Sequence, residues 1–246
     1  AELEQRPKKV YHVETVDGKK LSAMISEEKV AFGYDLPKDR FRVPYMARTI
    51  TIRLPITEMP AFSWETFVLV EGAAEEQAGT LIEDAGRVLK NDQVQLEIQS
   101  NGTLTLTDKV TGVVLDDLLV FEDVGDVGNE YIFKQPENDQ AILSKEISNS
   151  TIEIVTDTKE LAQIRLTQEM VIPVAADERL EKEQEMVIEF RHRKAGRSTE
   201  TAVLELTTLI TLRKNSKKID FETTVDNQMK DHRLREIGRA SCRERV

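Results

Sequence analysis

Gln93-Val94-Gln95-Leu96-Glu97-Ile98-Gln99-Ser100-Asn101-Gly102-Thr103-Leu104-Thr105-Leu106-Thr107 is the stretch that decides the fold. Val94, Leu96 and Ile98 face one way, and Gln93, Gln95, Glu97 and Gln99 the other. Successive side chains of an extended strand point to opposite faces, so this alternation describes a strand with one dry and one wet face. Asn101-Gly102 supplies a pair that tolerates the positive φ of a tight hairpin. Leu104 and Leu106 resume the apolar face while Thr103, Thr105 and Thr107 face away. Asp108 to Gly112 turns the chain again, and Val113 to Leu115 returns. The result is an antiparallel meander with one solvated face.

This meander leads into Phe121-Glu122-Asp123-Val124-Gly125-Asp126-Val127-Gly128-Asn129-Glu130-Tyr131-Ile132-Phe133. Aromatic residues close both ends, and two glycines, an asparagine and four carboxylates lie between. Gly125 and Gly128 suit tight or left-handed backbone. Asp126 and Asn129 favour turns by accepting bonds from nearby backbone. The expectation is a compact loop pinned by Phe121 and Phe133 that presents Asp126, Asn129, Glu130 and Tyr131. It reads either as an acidic surface loop or as a recognition loop for a polar ligand, since rigid scaffolds carry their binding residues on loops.

Upstream, residues 1–71 read as short strands. Lys9 to Val16 ends at the hairpin pair Asp17-Gly18, Leu21 to Ile25 returns, and Val30 to Tyr34 precedes a turn through Asp35 to Asp39. Phe41, Val43 and Tyr45 alternate, as do Ile50, Ile52 and Leu54; Trp64 to Val70 is the last strand. Strands at such spacing suggest a small β-sandwich. Residues 72–91 are small, acidic and glycine-interrupted, with a weak helical preference near Ala73 to Ala78, and read as a linker. Residues 92–235 read as the first part of a larger β-sandwich domain. Thr151 to Val155, Ile164 to Val174, Met186 to Phe190, Ala202 to Leu212 and Ile219 to Val225 are its further strands. Asp177 to Glu185 reads as a solvated excursion, Arg191 to Arg197 as a basic loop, and Lys214 to Lys217 as a hairpin turn. The predicted fold class is all-β.

Composition narrows the function. A net charge of −11 argues against a nucleic-acid partner, which needs clustered Lys and Arg. No apolar run approaches the roughly 20 residues of a membrane-spanning helix. The first residues carry no signal-peptide core, and there is no initiator Met, which suggests a start inside a longer protein. One cysteine, Cys242, allows no internal disulfide, in keeping with a cytoplasmic protein. Catalytic patterns are missing. Gly125 to Gly128 is no phosphate loop, and His12, His192 and His232 form no zinc-binding pair and read as ordinary surface or interface residues. Asp123, Asp126 and Asn129 are spaced by three, whereas a calcium hand spaces its ligands by two. By itself the chain reads as an accessory β region without a catalytic centre.

Three stretches together resemble glycoside hydrolase family 38, the zinc-dependent retaining α-mannosidases, and their bacterial branch in particular. They are Tyr34-Asp35-Leu36-Pro37-Lys38-Asp39-Arg40-Phe41-Arg42-Val43; Asn101-Gly102-Thr103-Leu104 through Asp108 to Gly112 into Phe121 to Tyr131; and Lys218-Ile219-Asp220-Phe221 through Thr224 to Asn227 into Asp231-His232-Arg233-Leu234-Arg235. The resemblance implies a small sandwich followed by part of a mutarotase-like supersandwich. It implies that an upstream catalytic barrel and helical domain of the same protein hold the zinc, the nucleophile and the general acid, so that this chain alone is inactive. The implied ligand is a mannoside or a mannose-containing glycan, and a homo-oligomer is compatible with the reading. Tyr131 matches the tyrosine with which the family's loop contacts the sugar; Glu130, Asn129 and Asp126 stand beside it. The alternative is a carbohydrate-binding sandwich that acts alone.

Glu236 to Val246 (Glu-Ile-Gly-Arg-Ala-Ser-Cys-Arg-Glu-Arg-Val) resembles the translation of a sequencing adaptor. It is expected to be foreign, with the native domain truncated at Arg235, where the family continues with an apolar strand.

Overall fold

The computed structural model describes residues 9–237 apart from 22, 55, 57–58, 74–78, 80 and 148. It divides into two compact units, Ala1–Gln77 and Ala78–Val246.

Among its described residues the first unit holds five strands: β1 (Tyr11–Thr15), β2 (Lys20–Leu21), β3 (Met24–Asp35), β4 (Val43–Arg53) and β5 (Phe67–Glu71). β1 lies between β2 and β5 in one antiparallel sheet, and β3 pairs with β4 as a long hairpin. The separate strands expected at Leu21 to Ile25 and Val30 to Tyr34 are otherwise arranged. Leu21 ends β2, and one continuous β3 runs from Met24, its register shifted between Ser26 and Lys29. That shift falls on the polar run Ser26-Glu27-Glu28-Lys29, which interrupts the apolar alternation. β4 likewise joins two expected strands into one.

In the second unit, β6 (Ile82–Glu83), β7 (Val88–Lys90), β8 (Val94–Ile98), β9 (Leu104–Asp108) and β10 (Val114–Leu118) form an antiparallel meander. The stretch 72–91 therefore contains two strands of this sheet, joined by a turn at Asp84–Gly86, and Leu81 and Leu89 enter the core. The helical preference near Ala73 to Ala78 falls on 74–78, outside the described residues. Burial along β8 alternates as its sequence requires, with Val94, Leu96 and Ile98 inside.

β11 (Val120–Gly125) follows, then β12 (Ile142–Leu143), the one-turn helix α1 (Ser144–Ile147), β13 (Asn149–Asp157) and β14 (Leu161–Pro173). Helix α2 (Arg179–Glu185), β15 (Thr201–Arg213), β16 (Ile219–Val225) and β17 (His232–Ile237) complete the unit. β13, β14, β15 and β16 make a four-stranded antiparallel sheet, and β11 lies between β12 and β17 in a third. One core joins the meander to the four-stranded sheet: Leu89, Leu96 and Leu104 from the first, Ile164, Leu166, Met170, Leu204, Leu206 and Ile210 from the second. Each such side chain contributes roughly 1.5–3 kcal/mol over an exposed one, which makes the pair of sheets a rigid platform.

Three expectations need correction. Phe121 to Gly125 is strand, not loop, because it pairs along its length with β17; the loop proper begins at Asp126. Asp177 to Glu185 contains helix α2, because two of its residues, Leu180 and Glu183, turn inward and are buried. Met186 to Phe190 is no strand: it passes through a left-handed Val187 into a 3-10 turn at Phe190–His192. Of the expected foreign tail, Glu236 and Ile237 complete β17, and 238–246 lie outside the described residues. Among the described residues no helix is long and apolar enough to cross a membrane.

Candidate functional site

The loop leaving β11 borders a polar cleft of about 470 Å³. Asp126, Gly128, Asn129 and Glu130 form one wall. Gln184 of α2, Arg193, Asp231 and His232 form the rest. Three remote parts of the chain thus meet here: the loop, the excursion between β14 and β15, and the start of β17.

The loop is built by its own polar side chains. Asp126 Oδ1 accepts from the backbone N–H groups of Gly128 (2.8 Å) and Lys134 (3.0 Å). Val127 N–H donates to the carbonyl of Lys134 at 2.8 Å, closing the neck. Asn129 Oδ1 accepts from the N–H groups of Tyr131 (3.0 Å) and Ile132 (2.9 Å), which fixes the tip as an Asx turn. Gly128 is required by crowding rather than by left-handed backbone: a Cβ there would stand 1.9 Å from the Ile132 carbonyl oxygen. At the far end Phe133 is exposed, with Arg233 stacked over its ring at 4.7 Å. Phe121 is buried five residues before the loop begins.

Beneath the loop, Val127 packs with Leu180 and Ala195 in a second small core. Glu183, on the buried face of α2, accepts from the N–H groups of Lys194 (2.9 and 3.0 Å) and Ala195 (3.1 Å) and from Arg179 Nε (2.7 Å). Burial opposes the ionisation of Glu183. The bonds from Lys194, Ala195 and Arg179 outweigh it, and the carboxyl titrates below the usual glutamate range.

The cleft floor rests on a buried carboxylate. Asp123 is 0% exposed and binds both Arg197 Nη2 and His232 Nδ1. His232 Nε2 stands 3.1 Å from Asn227 Oδ1. His232 and His12 are therefore partnered side chains within the structure, not the surface residues expected; His192 is exposed.

The four residues singled out in the sequence fall in one place but in different states. Asp126 is half-buried and engaged with backbone, while Asn129 and Glu130 are exposed on the wall. Tyr131 stands beyond the wall at the tip, 89% exposed, and its hydroxyl has no partner among the described residues. Sequence reasoning missed Gln184, Arg193, Asp231 and His232. His232 alone carried a signal, through the Asp231-His232-Arg233-Leu234-Arg235 stretch. The cleft offers carboxylate acceptors beside amide and guanidinium donors, a set that suits the hydroxyls of a sugar. Among the described residues no three of His, Cys, Asp and Glu come together to hold a metal ion.

Comparison with known proteins places these features in a family. Residues 1–71 match the model described as glycosyl hydrolases family 38 C-terminal domain 1, and residues 89–236 match the glycosyl hydrolases family 38 C-terminal domain. A protein of Halalkalibacterium halodurans named "Putative mannosylglycerate hydrolase" is 36% identical over 216 residues, covering 87% of this chain and 24% of the relative. An α-mannosidase from Enterococcus faecalis is similar in structure, with a TM-score of 0.81 and 45% identity over 95% of this chain and 26% of that one. A family 38 glycosyl hydrolase from the same organism gives a TM-score of 0.81 and 44% identity, covering 95% and 27%. The chain spans about a quarter of the length of these relatives.

Proposed function

The chain belongs to the glycosyl hydrolases of family 38, as part of their C-terminal β region, and from that premise we propose that the protein carrying it is a zinc-dependent, retaining α-mannosidase in which this region lends the Asp126–Tyr131 loop to the sugar-binding rim. The substrate is a mannoside or a mannose-containing glycan. The region contributes no catalytic group. The observation that carries the reading is the cleft, where Asp126, Asn129 and Glu130 face Arg193 and His232 beside a free tyrosine. A phenol ring offers a pyranose one stacking face and one hydroxyl. Carboxylate and amide groups at the wall can bond neighbouring sugar hydroxyls. Among the described residues no cluster of His, Cys, Asp and Glu fits a zinc site, and in this reading the metal and the groups that act with it come from other parts of the protein. Cytoplasmic residence, read from cysteine usage, belongs to the same proposal.

Tyr131→Phe in the full-length protein tests the reading. The expected result is a KM for α-mannosides raised about threefold to tenfold, or a lowered kcat if the contact forms only in the transition state. Unaltered kinetics would remove Tyr131 and its loop from the sugar site. A second reading, a carbohydrate-binding module acting alone, rests on the cleft's mixed carboxylate, amide and guanidinium lining. It requires mannose to raise the melting temperature of the isolated chain, and a flat response through millimolar sugar would end it.

A further inference from the structure

We propose that Arg193 and Lys134 form a reciprocal clasp that positions the Tyr131 loop, so that Arg193 is a positioning residue for the sugar site. The inference rests on the reading of that loop as part of the sugar-binding rim.

The two cations reach across the same gap in opposite directions. Arg193 Nη1 donates to the carbonyls of Val127 (2.9 Å) and Gly128, and Arg193 Nε to that of Ile188 (3.3 Å). Lys134 Nζ donates to the carbonyls of Arg191 and Arg193, each at 2.9 Å. Arg193 Nη1 and Lys134 Nζ are each set against the other segment's backbone carbonyls, while Arg193 Nε ties the guanidinium to its own segment. Hydrogen bonds from charged donors are roughly twice as strong as neutral ones, and a fork of two nitrogens fixes direction as well as distance.

Both ends of the clasp are anchored. Arg193 projects from a segment held by Glu183, which binds the next two backbone N–H groups, and by buried Ala195. Lys134 sits at the loop neck, bonded through its own N–H to Asp126 and through its carbonyl to Val127. The tip beyond Gly128 is rigid through Asn129, yet the Tyr131 ring itself has no hydrogen-bond partner among the described residues. Its place in space is therefore inherited from the backbone at Val127 and Gly128, where Arg193 binds.

Amide exchange of the 246-residue chain and kinetics of the full-length protein test this together. Arg193→Gln should speed exchange at Val127, Gly128 and Lys134 about tenfold or more, the loss expected for charge-assisted bonds. Exchange in β14 and β15 should stay unchanged. KM for p-nitrophenyl α-mannoside should rise about threefold or more, with kcat within about twofold. Arg193→Lys should restore little, because one amine cannot replace the fork. Lys134→Met removes the other half and should give the same pattern even if Arg193→Gln fails to fold. Unchanged loop exchange in these variants overturns the clasp. Faster exchange with unchanged KM overturns the positioning role. If Tyr131→Phe also leaves KM unmoved, the rim reading itself has failed, and the exchange result still judges the clasp separately.

Discussion

Arg197→Met isolates the most exposed energetic weakness of the cleft floor. Asp123 is wholly buried and Arg197 is 8% exposed, so their ion pair loses little to solvent screening. The substitution keeps an apolar stem of similar length but leaves Asp123 with His232 as its remaining side-chain partner. Removing one member of a buried pair strands the other charge, which costs about 3–5 kcal/mol. The Arg197 stem also fills space beside Gly125, where a Cβ would lie 2.9 Å from Arg197 Cγ, so an unbranched replacement limits any packing loss. For a unit of this size the expected drop in melting temperature is roughly 6–20 °C. Trp64, the single tryptophan, lies in the first unit, so its emission is the wrong probe. Far-UV circular dichroism and amide exchange along β11 and β17 follow the right region. Asp123→Asn added to Arg197→Met removes the stranded charge and should recover more than about 1 kcal/mol of the loss. A single variant that loses less than about 1 kcal/mol, or a double variant less stable than the single, would refute the reasoning.

Two other outcomes are expected. Gln168 sits on the core face of β14 with neither amide atom bonded, so Gln168→Met should raise the denaturation midpoint by an equivalent of about 1–3 kcal/mol; a lowered midpoint would show that the amide is satisfied. Glu183 has its carboxyl pKa lowered in the fold. Its stabilisation is therefore full above the unfolded value of about 4.3 and is lost as pH falls through the lower folded value. Glu183→Gln should accordingly lessen the acid sensitivity of unfolding in that window, and an unchanged pH profile would contradict the assignment.

The fold was legible wherever a strand kept one dry and one wet face. β8, β9 and the β15–β16 hairpin carry period-two alternation, and their turns carry the residues that turns need. β11 was illegible for a definite reason: Asp123 interrupts its apolar run, and its partner strand lies some hundred residues onward. Helix α2 hid within a charge run because its inward face consists of Leu180 and a carboxylate whose partners are backbone N–H groups elsewhere. The loop wall was readable from Asp126 and Asn129, since Asx chemistry is local. Arg193, Gln184 and Asp231 were not, since only tertiary contacts bring them to the cleft.

The pairing of β11 with β17 also fixes when the cleft can exist. His232 and Asp123 are separated by 109 positions in the chain. At about 5–20 residues per second a ribosome needs roughly 5–20 s to make that interval. Until β17 arrives, Asp123 lacks one of its two side-chain partners and favours staying hydrated, and the sheet around it resists drying. A carboxylate in this position makes the Asp126–Tyr131 loop one of the last parts of its unit to mature during synthesis. It also ties that maturation to delivery of the strand bearing His232.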